Sequence, residues 1–182
     1  MEAKRKLLEA QLSHKKRLRE LELLFDDGYM YIDPDMEAEV LEGLCPPKDL
    51  QELTISFYNG SRYPSWVLSG HHPDAPKHLH KLELCNCSQL AAIPEDSELF
   101  IGLHELSIHY CDWDRLPKNM ECLVSLQSLW IWKCDKIELL PTLPHQALKT
   151  IGIQTCPVLS RTCKEEGHPN WDKIQHIPVQ LI

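Results

Sequence analysis

Cysteine is the residue type whose spacing in this chain most invites a chemical interpretation. Four of the eight cysteines recur at near-regular intervals, at Cys87, Cys111, Cys134 and Cys156. On parallel strands about 4.8 Å apart, such a ladder could be imagined as an array of disulfides or metal ligands. Side chains at equivalent rungs point the same way, however, whereas a disulfide needs Cβ atoms that face each other. The spacing therefore favours small buried side chains whose S–H groups donate weakly to turn carbonyls.

A second tract brings metal-ligand residue types close together in sequence. It reads His78-Leu-His80-Lys-Leu-Glu-Leu-Cys85-Asn-Cys87. Within the repeat frame of this chain, Cys85 faces outward and Cys87 inward, so these two thiols diverge. No Cys-x-x-Cys pair occurs anywhere in the chain. We therefore expect neither a metal site nor a redox-active pair.

Sequence patterns of catalysis are also absent. The chain contains no Gly-x-Ser-x-Gly elbow, no His-Glu-x-x-His pair and no Gly-x-x-x-x-Gly-Lys-Ser/Thr phosphate loop. Its Ser, His and Asp residues have no catalytic spacing. The sequence predicts no enzyme activity, no catalytic residues, no cofactor and no bound nucleotide.

The elements that position the cysteines are six copies of one repeat. Each copy has aliphatic residues at its first, fourth and sixth positions, and in the last four copies the ninth residue is cysteine. The last three intervals between copies are 24, 23 and 22 residues. Spacings of about 20–29 residues are typical of leucine-rich repeats. The copies begin at Leu18, Leu50, Leu79, Leu103, Leu126 and Leu148.

Alternation of apolar and polar positions predicts one short, half-buried strand in each copy. One unit cannot bury its own apolar side, so the units must stack around a shared core. The sequence predicts an α/β leucine-rich-repeat solenoid, with a curved parallel β-sheet on its concave face and irregular or short helical returns. The strands are expected at 20–24, 52–56, 81–85, 105–109, 128–132 and 150–154.

Three parts of the chain are expected. Residues 1–17 form an entry segment that is helical or frayed, residues 18–159 hold the six repeats, and residues 160–182 form a C-terminal cap. A solenoid needs its terminal core covered. Trp171, Ile174 and Ile177 are placed to cover it.

Outward positions of the strands line the concave face and are candidate partner-binding residues. Trp130 and Trp132 share one face of a strand, and His109 lies on the preceding strand. Tryptophan is enriched where binding energy concentrates, although these two could instead cover a neighbouring loop or a missing domain. Four carboxylates also lie on this face. They would repel one another unless a basic surface of a partner bound against them. They are Glu22, Glu52, Glu83 and Glu105.

Charge and hydropathy exclude several function classes. The net charge is −8 and the repeats carry no basic face, which argues against nucleic-acid binding. No apolar run approaches the roughly 20 residues of a membrane span, and the basic first twenty positions lack a signal peptide's apolar stretch. The acidic segment does not have calcium-loop spacing, so repulsion and disorder are expected there. Its residues are Asp26, Asp27, Asp33, Asp35, Glu37 and Glu39.

Further motifs resemble a known family. They are the Leu-x-x-Leu-x-Ile-x-x-Cys frame with downstream Leu-Pro, the stretch from Pro46-Pro47 through Tyr58-Asn-Gly60 to Pro64-Ser-Trp66, and the closing segment from Cys156-Pro157 to His176-Ile-Pro178. Together they resemble the leucine-rich-repeat region of plant intracellular nucleotide-binding leucine-rich-repeat disease-resistance proteins of the coiled-coil class.

This resemblance implies a non-catalytic recognition module of plant innate immunity, without the nucleotide-binding domain. It would act in the cytoplasm, with the nucleus as a second compartment. The partner would be a protein: a pathogen effector, a guarded host protein, or a nucleotide-binding domain that the module restrains.

Two alternatives remain open. The first is a secreted or cell-surface repeat protein, an inhibitor or receptor ectodomain, which the glycosylation acceptors Asn59-Gly60-Ser61 and Asn86-Cys87-Ser88 favour. The second is a truncated receptor remnant that acts as a decoy. The cysteine ladder, the x-Leu-Pro motifs and the absent signal favour the intracellular interpretation.

Overall fold

The computed structural model describes residues 11–25, 33–68, 75–87, 89–90, 98–116 and 120–182. Seven strands form one sheet in sequence order, and every neighbouring pair is parallel. The six predicted strands are confirmed at their predicted positions. The seventh closes the sheet and was not predicted. The strands are β1 Glu20–Leu24, β2 Glu52–Ser56, β3 Lys81–Cys85, β4 Glu105–His109, β5 Ser128–Trp132, β6 Thr150–Gln154 and β7 Val179–Leu181.

Two aliphatic rungs run across the sheet and form the core. Leu106 pairs in register with Leu129, and Ile108 with Ile131, and all four are at most 1% exposed. Burial of a Leu or Ile side chain contributes about 1.5–3 kcal/mol. The stacked repeats therefore stabilise one another, and the predicted solenoid is confirmed.

Each strand from β2 to β6 is followed by a residue with left-handed backbone. These are Phe57, Asn86, Tyr110, Lys133 and Thr155, with φ between 52° and 59°. That conformation costs a non-glycine residue about 1–2 kcal/mol. It lets the N–H of each of the first four donate to the last carbonyl of the next strand, at 2.8–3.0 Å. The turn then directs the ninth repeat residue into the core.

The four ladder cysteines occupy that ninth position and are 0–1% exposed. The Cys87 thiol donates to the carbonyls of Ile55, at 3.3 Å, and Cys85, at 3.4 Å. Cys134 repeats the pattern with Ile108 and Trp132, at 3.6 and 3.4 Å. Burial raises the pKa of Cys87 to about 11, so the thiol stays protonated. None of the eight cysteines is in a disulfide.

Short helices and turns connect the strands on the convex side. A 3₁₀ turn at Leu12–His14 lies in the entry segment, whose residues 1–10 fall outside the described residues, and another lies at Met120–Cys122. The α-helices are α1 Pro34–Gly43, α2 Ser65–Leu68, α3 Glu98–Ile101, α4 Pro157–Thr162 and α5 Pro169–Ile174. No helix among the described residues is long and apolar enough to span a membrane.

The acidic segment is a helix where disorder was expected, so that expectation is wrong for residues 33–43. Asp33 caps α1 by accepting the Asp35 N–H at 2.9 Å, and carboxylates in the first turn complement the helix dipole. Glu37 is only 3% exposed and accepts the Asn59 N–H at 2.6 Å. Asp26 and Asp27 lie outside the described residues.

The Tyr-x-Gly motif packs against itself, and the Pro-x-Trp motif joins α2 to α1. Tyr58 is fully buried and passes over Gly60, where a Cβ would lie 2.2 Å from its Oη. Trp66 on α2 is 1% exposed and donates its Nε1–H to the Leu41 carbonyl of α1 at 3.1 Å. These motif residues therefore serve packing in this structure.

A buried polar side chain joins the C-terminal segment to the last repeats. Asn170 is fully buried, accepts the Leu140 N–H at 2.8 Å, and donates to the Glu138 carbonyl and the Thr162 hydroxyl, each at 2.8 Å. Ile174 and Ile177 are buried beside it, whereas Trp171 is half-exposed. The boundaries of the entry segment, repeats and cap stay predictions.

Candidate functional site

Three outward rungs cross the concave face in register. The middle rung runs Glu22, Thr54, Glu83, Ser107, Trp130, Gly152, and the rung on its C-terminal side runs Leu24, Ser56, Cys85, His109, Trp132, Gln154. The third rung runs Glu20, Glu52, Lys81, Glu105, Ser128, Thr150.

A hollow of about 330 Å³ opens on this face between β3 and β6. It brings together five of the seven predicted partner-binding residues: Glu83, Glu105, His109, Trp130 and Trp132. Lys81, Ser107, Ile131, Gly152 and Gln154 complete its lining. Glu22 and Glu52 lie on β1 and β2, away from that lining.

Glycine on β6 determines how Trp130 lies in this hollow. A Cβ at Gly152 would come within 2.2 Å of Trp130 Cε3 and 2.4 Å of Cζ3. The indole therefore rests on the bare backbone of β6, which buries Gly152 and leaves Trp130 half-exposed. The large residue and the small one beside it together leave the space that forms the hollow.

Trp132 forms the rim of the hollow with residues from two strand ends. It is 39% exposed, and its ring centroid lies 5.6 Å from those of both His109 and Tyr110. The Lys133 ammonium lies 4.7 Å from the Tyr110 centroid and 5.6 Å from that of Trp132, and donates to the Tyr110 hydroxyl at 3.2 Å. An amphipathic rim with exposed rings suits a protein interface.

Sequence reasoning missed Tyr110 and Lys133. Both occupy the eighth repeat position, where the left-handed backbone places the side chain beside the strand end. The available sequence signal was an aromatic residue and a basic residue at the same position of adjacent repeats.

Each carboxylate of the hollow lies beside a basic side chain, and the neighbouring lysine corrects the expectation of mutual repulsion for Glu105. Lys81 Nζ lies 3.2 Å from Glu105 Oε1, and His109 Nδ1 lies 3.5 Å from Glu83 Oε1. The hydrogen bond to Glu105 raises the pKa of Lys81. Cys85 also faces this side, and burial followed by Glu83 raises the pKa of its thiol, which disfavours the thiolate.

Within the described ranges, no group of three or more His, Cys, Asp or Glu side chains could hold a metal ion. The surface offers shape, aromatic area and charge. Binding of another molecule is what this arrangement can do.

The repeat geometry agrees with the protein family that this sequence matches. Residues 1–111 match the family described as R13L1/DRL21 leucine-rich repeats. The chain belongs to this family. The resemblance inferred from the sequence motifs is therefore confirmed, together with the leucine-rich-repeat fold.

Two relatives of this R13L1/DRL21-type chain are named as disease resistance proteins. RGA4 of Solanum bulbocastanum is 30% identical over an alignment of 182 residues. The alignment covers 89% of this chain and 18% of the relative. RPP13-like protein 1 of Arabidopsis thaliana is 35% identical over 66 residues, which cover 32% of this chain and 6% of the relative. The chain thus spans less than a fifth of the length of either relative.

Proposed function

We propose that this chain is a non-catalytic recognition module that binds a protein partner on its concave face, in a plant disease-resistance setting. The observation that supports this most directly is the hollow between β3 and β6, where Trp130 lies on Gly152 and Trp132 stands exposed at the rim. Partly exposed tryptophans around a depression are typical of sites where binding energy concentrates. The names of the two relatives supply the disease-resistance setting.

Charge favours a basic partner surface. The three outward rungs from β1 to β6 contain five glutamates and one lysine, a formal charge of −4. The glutamates are Glu20, Glu22, Glu52, Glu83 and Glu105, and the lysine is Lys81. A pathogen effector, a guarded host protein or a nucleotide-binding domain with a basic patch would be steered to this face.

The proposed compartment is the cytoplasm, with the nucleus second. Asn59, the better exposed glycosylation acceptor, donates its side-chain N–H to the Phe57 carbonyl at 3.3 Å and to Glu37 Oε1 at 3.5 Å. Glycosylation would replace one of the two hydrogens on that nitrogen and so remove one of these contacts, which disfavours use of Asn59 as an acceptor. Secretion of a tagged chain that is sensitive to glycosidase would overturn the proposed intracellular compartment.

The test of the binding site uses a partner co-purified from infected plant tissue and then purified. Its affinity is measured for the wild-type chain and for the double variant Trp130→Ala, Trp132→Ala. We expect at least tenfold weaker binding, because loss of a buried interface aromatic costs at least about 2 kcal/mol. The melting temperature should change little.

Leu139→Ala is the matched control, because Leu139 is 56% exposed and lies outside the hollow's lining. It should bind as the wild type does. Intact binding by the double variant would place the site elsewhere. Loss of its folded state would assign the tryptophans to structure.

A further inference from the structure

Two histidines from distant parts of the sequence meet on the surface beside the C-terminal segment. His145 lies in the turn at 145–147 that precedes β6, and His176 follows α5. Both are exposed, and His145 Nδ1 lies 3.2 Å from His176 Nε2. Neither belongs to the concave hollow, so any role of this pair is independent of the proposed function.

The ring positions differ from those of a head-on hydrogen bond. With 3.2 Å between the nitrogens, a collinear N–H···N contact would place the imidazole centroids about 5.5 Å apart. Two rings that share one ion at about 2.0–2.1 Å from each nitrogen would have centroids about 5.0 Å apart. The observed separation is 4.6 Å, with the ring planes 41° apart. The two rings are therefore tilted relative to the head-on arrangement, and their separation is closer to the shared-ion value than to the collinear one.

The distance between the nitrogens also suits one ion. Nitrogens 3.2 Å apart, each about 2.0–2.1 Å from a zinc ion, subtend about 103° at the metal. This lies close to a tetrahedral angle and is compatible with other first-row geometries.

We propose that His145 and His176 form a two-imidazole clip for one divalent transition-metal ion of the imidazole-binding class, such as Zn²⁺, Ni²⁺ or Cu²⁺. Water fills the remaining coordination positions. The described residues supply no cluster of three ligands, so the clip binds more weakly than a four-ligand structural zinc site. A bound ion joins the turn before β6 to the C-terminal segment, and it stabilises the folded chain by mass action.

A second histidine pair provides the matched control. The rings of His80 and His104 meet edge to face, with centroids 5.1 Å apart and planes 76° apart. In that arrangement the edge of one ring faces the π surface of the other, so the pair is not set to chelate. Substitution of His104 removes a paired histidine from the same chain without touching the clip.

The test is calorimetric titration of the full chain with ZnCl₂ in a buffer without chelating groups. We expect one Zn²⁺ per chain at the clip, with affinity at least tenfold weaker in His145→Gln and in His176→Gln. His104→Gln should bind as the wild type does. Zn²⁺ should raise the melting temperature of the wild type and of His104→Gln, and Mg²⁺ should not, because it prefers oxygen ligands.

Paramagnetic broadening by Ni²⁺ in the NMR spectrum tests the same site in the unaltered chain. The broadening should first affect the amide signals of residues 145–147 and 175–177. The proposal is overturned if the wild type binds no Zn²⁺, if both clip variants keep its affinity, or if the broadening begins elsewhere.

Discussion

The two halves of the concave face share one backbone pattern and differ in what they present. On β1 and β2 the outward positions carry exposed carboxylates, including Glu20, Glu22 and Glu52. From β4 to β6 the same positions carry Trp130 and Trp132 beside Ser107 and Gly152. A hollow forms in the second half because large side chains lie next to small ones. The difference shows that the repeat fixes where a residue points, while the size of its neighbours decides whether a binding depression exists.

The largest effect is expected where the aromatic half is joined to the C-terminal segment. Asn170→Ala removes three hydrogen bonds and leaves the buried Leu140 N–H without its partner. An unsatisfied buried group costs about 1–3 kcal/mol, so the loss should total about 2–4 kcal/mol. Denaturant unfolding measures this loss.

Hydrogen exchange shows whether that loss is confined to one half of the sheet. It should accelerate more in β5 and β6 than in β2 and β3, because Leu140 follows β5. Gln175→Ala, at an exposed site, is the control. Equal acceleration in both halves would mean that the solenoid unfolds as one unit and that the halves are not energetically distinct.

A smaller effect is expected from filling the space under Trp130. Gly152→Ala places a Cβ within 2.2 Å of Trp130 Cε3, so the indole must move away from the backbone of β6. Overpacking of this kind costs about 1–3 kcal/mol. Tryptophan fluorescence should shift and partner binding should weaken.

The chain offers a matched glycine for this experiment. A Cβ at Gly102 would have its nearest neighbour, the Leu79 carbonyl oxygen, at 3.9 Å. Gly102→Ala should leave both fluorescence and binding unchanged. If the two glycine variants behave alike, Gly152 does not position Trp130.

Alkaline pH should destabilise the packing behind the acidic half. Burial, followed by Glu37, raises the pKa of Tyr58 to about 12 from an ordinary value of 10.0. Because the folded-state pKa is the higher one, this contribution to stability is complete below pH 10 and is lost as the pH rises towards 12. Tyr58→Phe should reduce the loss of stability between pH 10 and 12, as followed by denaturant unfolding. An unchanged pH dependence would exclude Tyr58 as its source.

The smallest effect on stability is expected from the carboxylates of β1 and β2. The triple variant Glu20→Gln, Glu22→Gln, Glu52→Gln should change the unfolding free energy by less than about 1 kcal/mol, because these side chains are exposed. Association with a basic partner should slow several-fold at low salt and much less at high salt. An association rate that does not depend on these residues would remove the acidic half from the proposed interface.

Local pattern was enough to predict the six strands. Leu106 and Ile108, like their counterparts in the other copies, must face inward because a strand alternates its faces and each repeat depends on its neighbours for burial. The same argument assigned Trp130 and Trp132 to the outward side. Strand β7 was missed because Val179–Leu181 is short and lies outside the repeat frame.

Contacts between residues far apart in sequence depended on tertiary structure. Strand register decides that Glu105 pairs with Lys81 instead of repelling its neighbours. The glycine one strand away decides that the Trp130 indole lies against the backbone of β6. The Asn170 cluster and the approach of His145 to His176 join residues about thirty positions apart. The sequence by itself determined which way each repeat residue points, because backbone alternation is local. Tertiary structure decided what each side chain meets, because its partners belong to other repeats.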